Sequence, residues 1–266
     1  MRFNELFDLS GQVAVVIGGA RNFGYYMDEI LADAGCDLAI TSRSLESAEK
    51  TAEMIGSEYD RDVLARALDV SDYEQVAAFA ETVRNWKGRV DILINNAGGG
   101  LDLSPTNFLE RDPDHIRKLV DVNLVGTLFA CKAFGKIMAD QGRGKIINIA
   151  STAGMIGRDR RMYNRTGLNE QPVEYAGAKA GVIGATRDLA GLLSPMGVLV
   201  NAISPGGFER GQPESFIDAY SDVTPQGRMG RDPIDLKGAV LFLAAPASDY
   251  VTGENLVVDG GFSMWH

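Results

Sequence analysis

The chain has 266 residues and a formal net charge of −10, from 26 lysines and arginines against 36 aspartates and glutamates. Such an acidic chain repels phosphate backbones and anionic lipid headgroups, so we expect no nucleic-acid or membrane partner. Two cysteines and two histidines are too few for a disulfide framework or a histidine-rich metal centre, and we expect no metal site.

The sequence also predicts where the protein works. Residues 1–8 lack the basic start and apolar run of a signal peptide, and we expect no bilayer-spanning segment. Thiols that remain unpaired are typical of a reducing compartment. We therefore expect a cytoplasmic protein.

Short apolar runs alternate with longer amphipathic segments along the chain. The apolar runs predict seven strands, at residues 13–17, 38–40, 63–68, 92–94, 146–149, 198–200 and 256–258. Apolar residues at three- and four-residue spacing predict helices at 25–34, 44–56, 72–86, 113–139, 175–193 and 233–244. Wholly apolar strands are typical of sheets covered on both faces. We predict an α/β fold with one domain over residues 1–266, a doubly wound, seven-stranded parallel sheet with helices on both faces.

Ligands bind such sheets beyond the carboxyl ends of the strands, so function should lie in the loops that follow them. The two longest predicted loops cover residues 152–174 and 204–231. We expect the first to form a substrate loop and the second a lid over the substrate.

A glycine-rich turn follows the first strand and leads into a helix. It contains Gly18, Arg21, Asn22, Phe23 and Gly24. Glycine lets the backbone approach a pyrophosphate, and the helix N-terminus presents free N–H groups to that anion. Asn22 adopts positive φ more readily than most residues, so it is compatible with a tight turn. The alternative is an ordinary strand-to-helix turn.

The second predicted strand ends without a carboxylate. An acidic residue there would bind the 2′-hydroxyl of NAD, whereas this chain has Ser42 and Arg43. A hydroxyl and a guanidinium can bind a 2′-phosphate, so the sequence favours NADP(H) over NAD(H). The alternative is that Arg43 and Arg21, in the glycine-rich turn, are both solvated surface charges.

A tyrosine and a lysine lie four residues apart on one face of a predicted helix, at Tyr175 and Lys179. A nearby ammonium favours phenolate, lowers the pKa of a tyrosine and makes it a usable general acid and base. The alternative is a surface pair. Ser151 follows a predicted strand, and Asn123 lies on the long helix 113–139.

These motifs, in this order, resemble the short-chain dehydrogenases/reductases over about residues 9–261, and residues 224–230 and 251–261 resemble the gluconate, sugar and polyol enzymes of that family. The resemblance implies a Rossmann fold that binds NADP(H). It implies that Tyr175 exchanges a proton with the substrate oxygen, and that Lys179 lowers the pKa of Tyr175 and binds the nicotinamide ribose. Ser151 would stabilise developing negative charge on that oxygen, and Asn123 would hold a water linking Lys179 to solvent.

The resemblance also implies further cofactor contacts and an assembly. Arg21 would face the same pocket as Arg43, and the usual threonine after Pro205-Gly206 is Arg210 here, which opens a substrate role for it. A homotetramer would pair the helices at 113–139 and 175–193. The remaining contacts would be made by Asp69 and Val70 to adenine, by Asn95, Ala97 and Gly98 to the ribose, and by Pro205 and Gly206 to the nicotinamide.

The predicted loop 152–174 is rich in arginine, with Arg158, Arg160, Arg161 and Arg165. Arginine binds carboxylates and phosphates through its planar donor fork, so this loop predicts an anionic substrate. The alternatives are a solvated loop or one that pairs with a neighbouring subunit.

The sequence thus predicts an NADP(H)-dependent oxidoreductase of small polar carbonyls or alcohols, such as keto sugars or keto acids. A 3-oxoacyl thioester reductase and a non-catalytic NADP(H) sensor remain alternatives.

Overall fold

All seven predicted strands are present, and they form one parallel sheet. The computed structural model describes residues 2–101, 104–169 and 171–265. The strands are β1 (Val13–Ile17), β2 (Asp37–Ser42), β3 (Val63–Ala67), β4 (Ile92–Asn95), β5 (Gly144–Ile149), β6 (Val198–Pro205) and β7 (Asn255–Val258). The sheet order is β3-β2-β1-β4-β5-β6-β7, and every neighbouring pair is parallel. The order reverses between β1 and β4, which places the ligand crevice above these two strands.

Helices cover both faces of the sheet, as predicted. The helices are α1 (Phe3–Phe7), α2 (Phe23–Asp33), α3 (Leu45–Tyr59), α4 (Tyr73–Lys87), α5 (Pro113–Val120), α6 (Gly126–Gln141), α7 (Arg160–Thr166), α8 (Val173–Leu193), α9 (Glu214–Asp222) and α10 (Ile234–Ala244). Alternate residues of β1 belong to different hydrophobic clusters: Val13 and Val15 pack with α4, α6 and α8, whereas Ala14 and Val16 pack with α2 and α10. This two-sided burial is why the strand is wholly apolar.

Two of these helices lie in segments that the sequence predicts as loops. α7 begins where the Asp159 carboxylate accepts a hydrogen bond from the Arg161 N–H at 3.0 Å, and it ends at Gly167 with φ of 69°. In α9, Phe216 and Tyr220 lie one turn apart, and both are buried. The predicted substrate loop and lid are therefore each built around a short helix.

The predicted helix 113–139 is interrupted by a π-helical turn at Asp121–Val125, between α5 and α6. The joined segment Pro113–Gln141 has a mean hydropathy of 1.3 over its most apolar window, so by length and composition alone it is long and apolar enough to cross a bilayer. More than half of that window, 56%, is buried in the fold. Phe134 and Met138 pack there against the sheet, so this segment is a core helix.

Candidate active site

A cavity of about 600 Å³ lies over the carboxyl ends of the strands. It brings together the glycine-rich turn, the end of β2, and the side chains of Ser151, Tyr175 and Lys179. Residues far apart in sequence therefore meet where the sheet order reverses. The predicted cofactor residues that line the cavity are Gly18, Arg21, Asn22, Phe23, Ser42, Arg43, Asp69, Val70, Ala97, Gly98, Tyr175, Lys179, Pro205 and Gly206.

The turn between β1 and α2 leads directly into a helix N-terminus. Asn22 adopts a φ of 53° with a ψ of −134°, and it precedes the first residue of α2. Gly24 does not line the cavity, because it packs against the turn itself. A Cβ on Gly24 would lie 2.0 Å from the Gly18 carbonyl oxygen. The turn therefore fits a pyrophosphate at the N-terminus of α2.

Replacing Gly24 with alanine should lower the free energy of unfolding by about 3 kcal/mol, because the new methyl overlaps backbone that cannot rotate away. Gly191→Ala is the matched control. A Cβ there meets nothing within 4 Å, and alanine in a helix should stabilise the protein by about 0.5–1 kcal/mol. Urea denaturation of both variants measures the difference, and equal stabilities would contradict this packing.

Asn95 and Asn96, which are adjacent in the sequence, make different contacts. Asn95 lies behind the cavity wall, where its Nδ2 donates to the Asn148 Oδ1 at 2.8 Å. Asn148 in turn donates to Thr186 on α8, so this buried chain joins β4, β5 and α8. Asn96 lines the cavity, and its Nδ2 donates to the Gly18 carbonyl oxygen at 2.8 Å. The sequence missed Asn96, because strand alternation alone does not show where β4 ends.

Positive charge gathers where β2 ends. Arg21 and Arg43 are both exposed at the cavity rim, and Ser42 is half-buried beside them. Neither guanidinium is paired with a carboxylate in the parts of the chain that the structure describes. Two uncompensated cations beside a hydroxyl can bind a phosphate group.

Ser151, Tyr175 and Lys179 meet at the carboxyl end of β5. The Ser151 Oγ accepts a hydrogen bond from the Ala153 N–H at 3.1 Å, which fixes the serine side chain. Tyr175 and Lys179 lie one turn apart on α8, and both are buried. The Lys179 Nζ donates to the Ile149 carbonyl oxygen at 2.6 Å and lies 5.7 Å from the centre of the Tyr175 ring.

Burial dominates the ionisation of this group of residues. It raises the pKa of Tyr175, and hydrogen bonding from Ser151 and the positive charge of Arg158 only partly oppose that rise. The expected lowering of this pKa by Lys179 is therefore not found. Burial also lowers the pKa of Lys179 to about 8. The phenol is thus protonated at neutral pH.

Lys179 should make stability depend on pH in the alkaline range. Its pKa is about 8 when folded and 10.5 ordinarily, so between these values the unfolded chain binds one more proton. Stability should therefore rise with pH over this interval, by at most about 1.4 kcal/mol per pH unit. Lys179→Met removes this contribution. Urea denaturation should show the native protein gaining stability relative to the variant from pH 8 to 10; a constant difference would contradict the lowered pKa.

Asn123 lies in the π-helical turn and does not line the cavity. Its Oδ1 accepts a hydrogen bond from the Gly99 N–H at 2.8 Å, and its Nδ2 donates to the Gly99 and Leu119 carbonyl oxygens, each at 3.0 Å. The side chain thus fastens the loop after β4 to the long helix. The water relay to Lys179 stays a prediction.

The predicted arginine cluster divides between the cavity and the surface. Arg158 lines the cavity with its guanidinium carbon 5.7 Å from the centre of the Tyr175 ring, and its Nη1 donates to the Gln171 carbonyl oxygen at 2.6 Å. Arg160 and Arg161 are exposed and do not line the cavity, because α7 turns Met162 inward instead. Arg161 forms an ion pair with Asp159 at 2.7 Å.

Arg210 lies at the opposite side of the cavity, close to the glycine-rich turn. Its guanidinium carbon is 3.7 Å from the centre of the Phe23 ring, and its Nε forms an ion pair with Asp232. Phe23 also packs edge-on against Phe208, with ring centres 4.8 Å apart. Arg210, which stands where the resemblance leads us to expect a threonine, therefore covers the start of α2.

A buried ion pair that sequence reasoning missed holds the start of α8. The Arg111 Nε lies 2.7 Å from the Glu174 Oε1, and both side chains are almost wholly buried. Glu174 directly precedes Tyr175, so this contact fixes the helical turn that carries the tyrosine. The sequence gives little indication of this ion pair, because the two residues are separated by 63 positions.

Comparison with known proteins identifies the family. A family model described as enoyl-(acyl carrier protein) reductase matches residues 18–263. The chain is 34% identical over 262 residues to the 3-oxoacyl-(acyl-carrier-protein) reductase FabG of Vibrio harveyi, covering 97% of this chain and 99% of that protein. It is 35% identical to the NADP-dependent mannitol dehydrogenase of Hypocrea jecorina, covering 98% and 96%.

A solved structure has the same fold across nearly its whole length. A gluconate 5-dehydrogenase from Burkholderia cenocepacia, in complex with NADP and tartrate, superposes with a TM-score of 0.88 at 31% identity, covering 99% of both chains. These similarities cover the segments that contain the glycine-rich turn, Ser151, Tyr175 and Lys179. The chain belongs to the short-chain dehydrogenase/reductase family, whose members are oxidoreductases that act on CH–OH and C=O groups with a nicotinamide cofactor.

Proposed function

We propose that this protein interconverts a ketone and a secondary alcohol with NADP(H), and that Tyr175 exchanges the proton. The observation that carries the proposal is one cavity holding Ser151, Tyr175 and Lys179 beside the glycine-rich turn. A sensor would need the turn but not the three catalytic side chains. We therefore favour the enzyme over the sensor.

The cofactor preference rests on charge at the end of β2. Arg21 and Arg43 would bind the 2′-phosphate together with Ser42, while Asp69 and Val70 would contact the adenine. An NADP-dependent mannitol dehydrogenase and an NADP-bound gluconate dehydrogenase among the similar proteins support this choice. The bound nicotinamide supplies or accepts the hydride.

The catalytic side chains would handle the proton and the oxygen charge. Because its pKa is raised, Tyr175 carries a proton at neutral pH and can donate it to a carbonyl oxygen. Ser151 would donate a hydrogen bond to the same oxygen as negative charge develops. The Lys179 ammonium would stabilise the phenolate that remains. The protonated tyrosine is the form that acts as the acid when a ketone is reduced.

For the substrate we propose a keto acid rather than a keto sugar. Arg158 is the member of the predicted arginine cluster that reaches the cavity beside Tyr175, and its charge suits a carboxylate near the carbonyl. Similarity alone does not decide between substrates, because the 3-oxoacyl reductase and the mannitol dehydrogenase match almost equally well. The thioester reductase therefore remains the second candidate.

Arg158→Gln should raise the KM for a keto acid about tenfold, because one charge-assisted hydrogen bond contributes about 1.5 kcal/mol. The KM for a neutral ketone should change by less than about twofold. Initial rates of NADPH oxidation with pyruvate and with acetone measure both values. Arg160→Gln and Arg161→Gln lie outside the cavity and should leave both constants unchanged. Equal effects of Arg158→Gln on acid and ketone would contradict carboxylate binding.

We also propose that the protein is a cytoplasmic homotetramer. Both cysteines are unbonded and buried, so their thiols need no oxidising compartment. The long helices carry exposed apolar side chains, with Leu128 on α6 and Leu192 on α8. Such residues suit a subunit interface. Sedimentation equilibrium showing a monomer would contradict the assembly.

A further inference from the structure

One part of the cavity wall consists of apolar and aromatic side chains. They come from α7, from α9 and from the C-terminal turn Phe262–Trp265, and the proposed cofactor contacts use none of them. With Met229 they form a hydrophobic cluster separate from those that cover the sheet. The members of this cluster that line the cavity are Met162, Tyr163, Leu168, Phe216, Tyr220, Met229 and Phe262.

The rings in this wall are held in place by one another. Tyr220 and Phe262 stack with ring centres 4.4 Å apart and planes only 6° from parallel, and Tyr163 packs against Phe216 at 5.2 Å. The Tyr220 oxygen accepts a hydrogen bond from the Gly207 N–H at 2.6 Å. A Cβ on Gly207 would lie 2.7 Å from the same ring, so this glycine allows the ring to approach the loop after β6. The wall is a packed surface beside the proposed nicotinamide position.

The arginines of α7 point away from this wall, whereas Met162 and Tyr163 line it. Arg161 and Arg165 are exposed, and Met162 between them is buried at 7% exposure. The faces of the packed rings and the Met162 thioether offer a sugar or polyol few hydrogen bonds to replace those that its hydroxyls make with water. A flat apolar group makes no hydrogen bonds to water that it could lose here, and it would gain contact with aromatic rings.

We propose that the substrate carries an apolar ring attached to its carbonyl carbon, as an aryl or cycloalkyl ketone or the corresponding alcohol. The ring packs between α7 and α9 while the carbonyl lies at Tyr175. This inference deepens the proposed function and rests on it for the position of the carbonyl. The ring subsite itself can be tested without turnover.

Binding of alcohols that cannot be oxidised tests the subsite directly. Both 2-phenyl-2-propanol and tert-butanol are tertiary alcohols, and they differ only by a phenyl in place of a methyl group. Calorimetry on the full chain saturated with NADP⁺ should show the phenyl compound binding at least about 30-fold more tightly. Equal affinities, or no detectable binding of the phenyl compound, would overturn the proposal.

Variants on opposite faces of α7 locate the effect. Met162→Gln keeps the side-chain length but places an amide in the wall, and it should reduce the phenyl preference about tenfold. Arg165→Gln, on the exposed face of the same helix, should leave it unchanged. Phe216→Leu provides a second wall variant in case Met162→Gln does not fold. A phenyl preference that survives both wall variants would overturn the proposal.

Kinetics separate the subsite from the reaction. Phenyl binding without reduction of any ketone by NADPH would leave the ring subsite standing and remove the proposed reductase. Reduction of fructose without reduction of acetophenone would leave the proposed reductase standing and remove the ring subsite. Reduction of acetophenone with at least about 30-fold higher kcat/KM than acetone would support both.

Discussion

Replacing Tyr175 with phenylalanine should lower kcat about 1,000-fold, because it removes the hydroxyl that exchanges a proton with the substrate. The aromatic ring and its packing on α8 remain, and the phenol is not needed to bind the pyrophosphate or the 2′-phosphate. The affinity for NADPH should therefore change by less than about twofold. Single-turnover rates and fluorescence titration with NADPH measure the two quantities.

A matched variant separates loss of the catalytic hydroxyl from loss of any tyrosine. Tyr250 is fully exposed, and Tyr250→Phe should leave both kcat and NADPH affinity unchanged. If Tyr175→Phe retained more than a tenth of the native kcat, Tyr175 would not be the acid. If it instead lost NADPH binding in proportion, its role would be structural.

Reversing the charge at Arg43 should lower the preference for NADPH over NADH about 100-fold, or about 2.7 kcal/mol. In Arg43→Asp the 2′-phosphate loses a charge-assisted hydrogen bond and meets a carboxylate that suits the 2′-hydroxyl of NAD instead. The site is exposed, so screening limits the effect and added salt should reduce it. The ratio of kcat/KM for the two cofactors measures it.

The control for this prediction is an equal change of charge elsewhere. Arg84 is half-exposed on α4, outside the cavity, and Arg84→Asp changes the net charge by the same amount. It should leave the cofactor ratio unchanged. Equal effects of both substitutions would show that overall charge, rather than a contact at the end of β2, sets the preference.

The strand positions and the shared helix face of Tyr175 and Lys179 could be predicted from the sequence, because each depends on a short-range pattern. Val13–Ile17 is wholly apolar since both faces are covered, and Tyr175 and Lys179 share a face since they are four residues apart. Asn22 adopts a positive φ, as its residue type and place in a tight turn suggest. In each case the local residue type and the fold demand the same conformation.

Predictions from the sequence failed at residues whose burial and orientation are set by tertiary contacts. The run of arginines in 158–165 suggested a charged pocket wall, but the helix that Asp159 begins places Met162 inside and Arg161 outside. Helices as short as α7 and α9 have too few turns for apolar spacing to stand out. The raised pKa of Tyr175 was missed for a similar reason, because burial cannot be counted from spacing.

Transfer of deuterium from cofactor to product tests the central claim most directly. NADPH labelled with deuterium at both C4 positions would be incubated with the protein and benzoylformate, which combines a keto acid with an aromatic ring. We predict that mass spectrometry finds mandelate carrying one deuterium, and that Tyr175→Phe forms about 1,000-fold less of it. The account would be contradicted if NADPH binds but transfers no deuterium to benzoylformate, nor to pyruvate, acetone or fructose when each replaces benzoylformate.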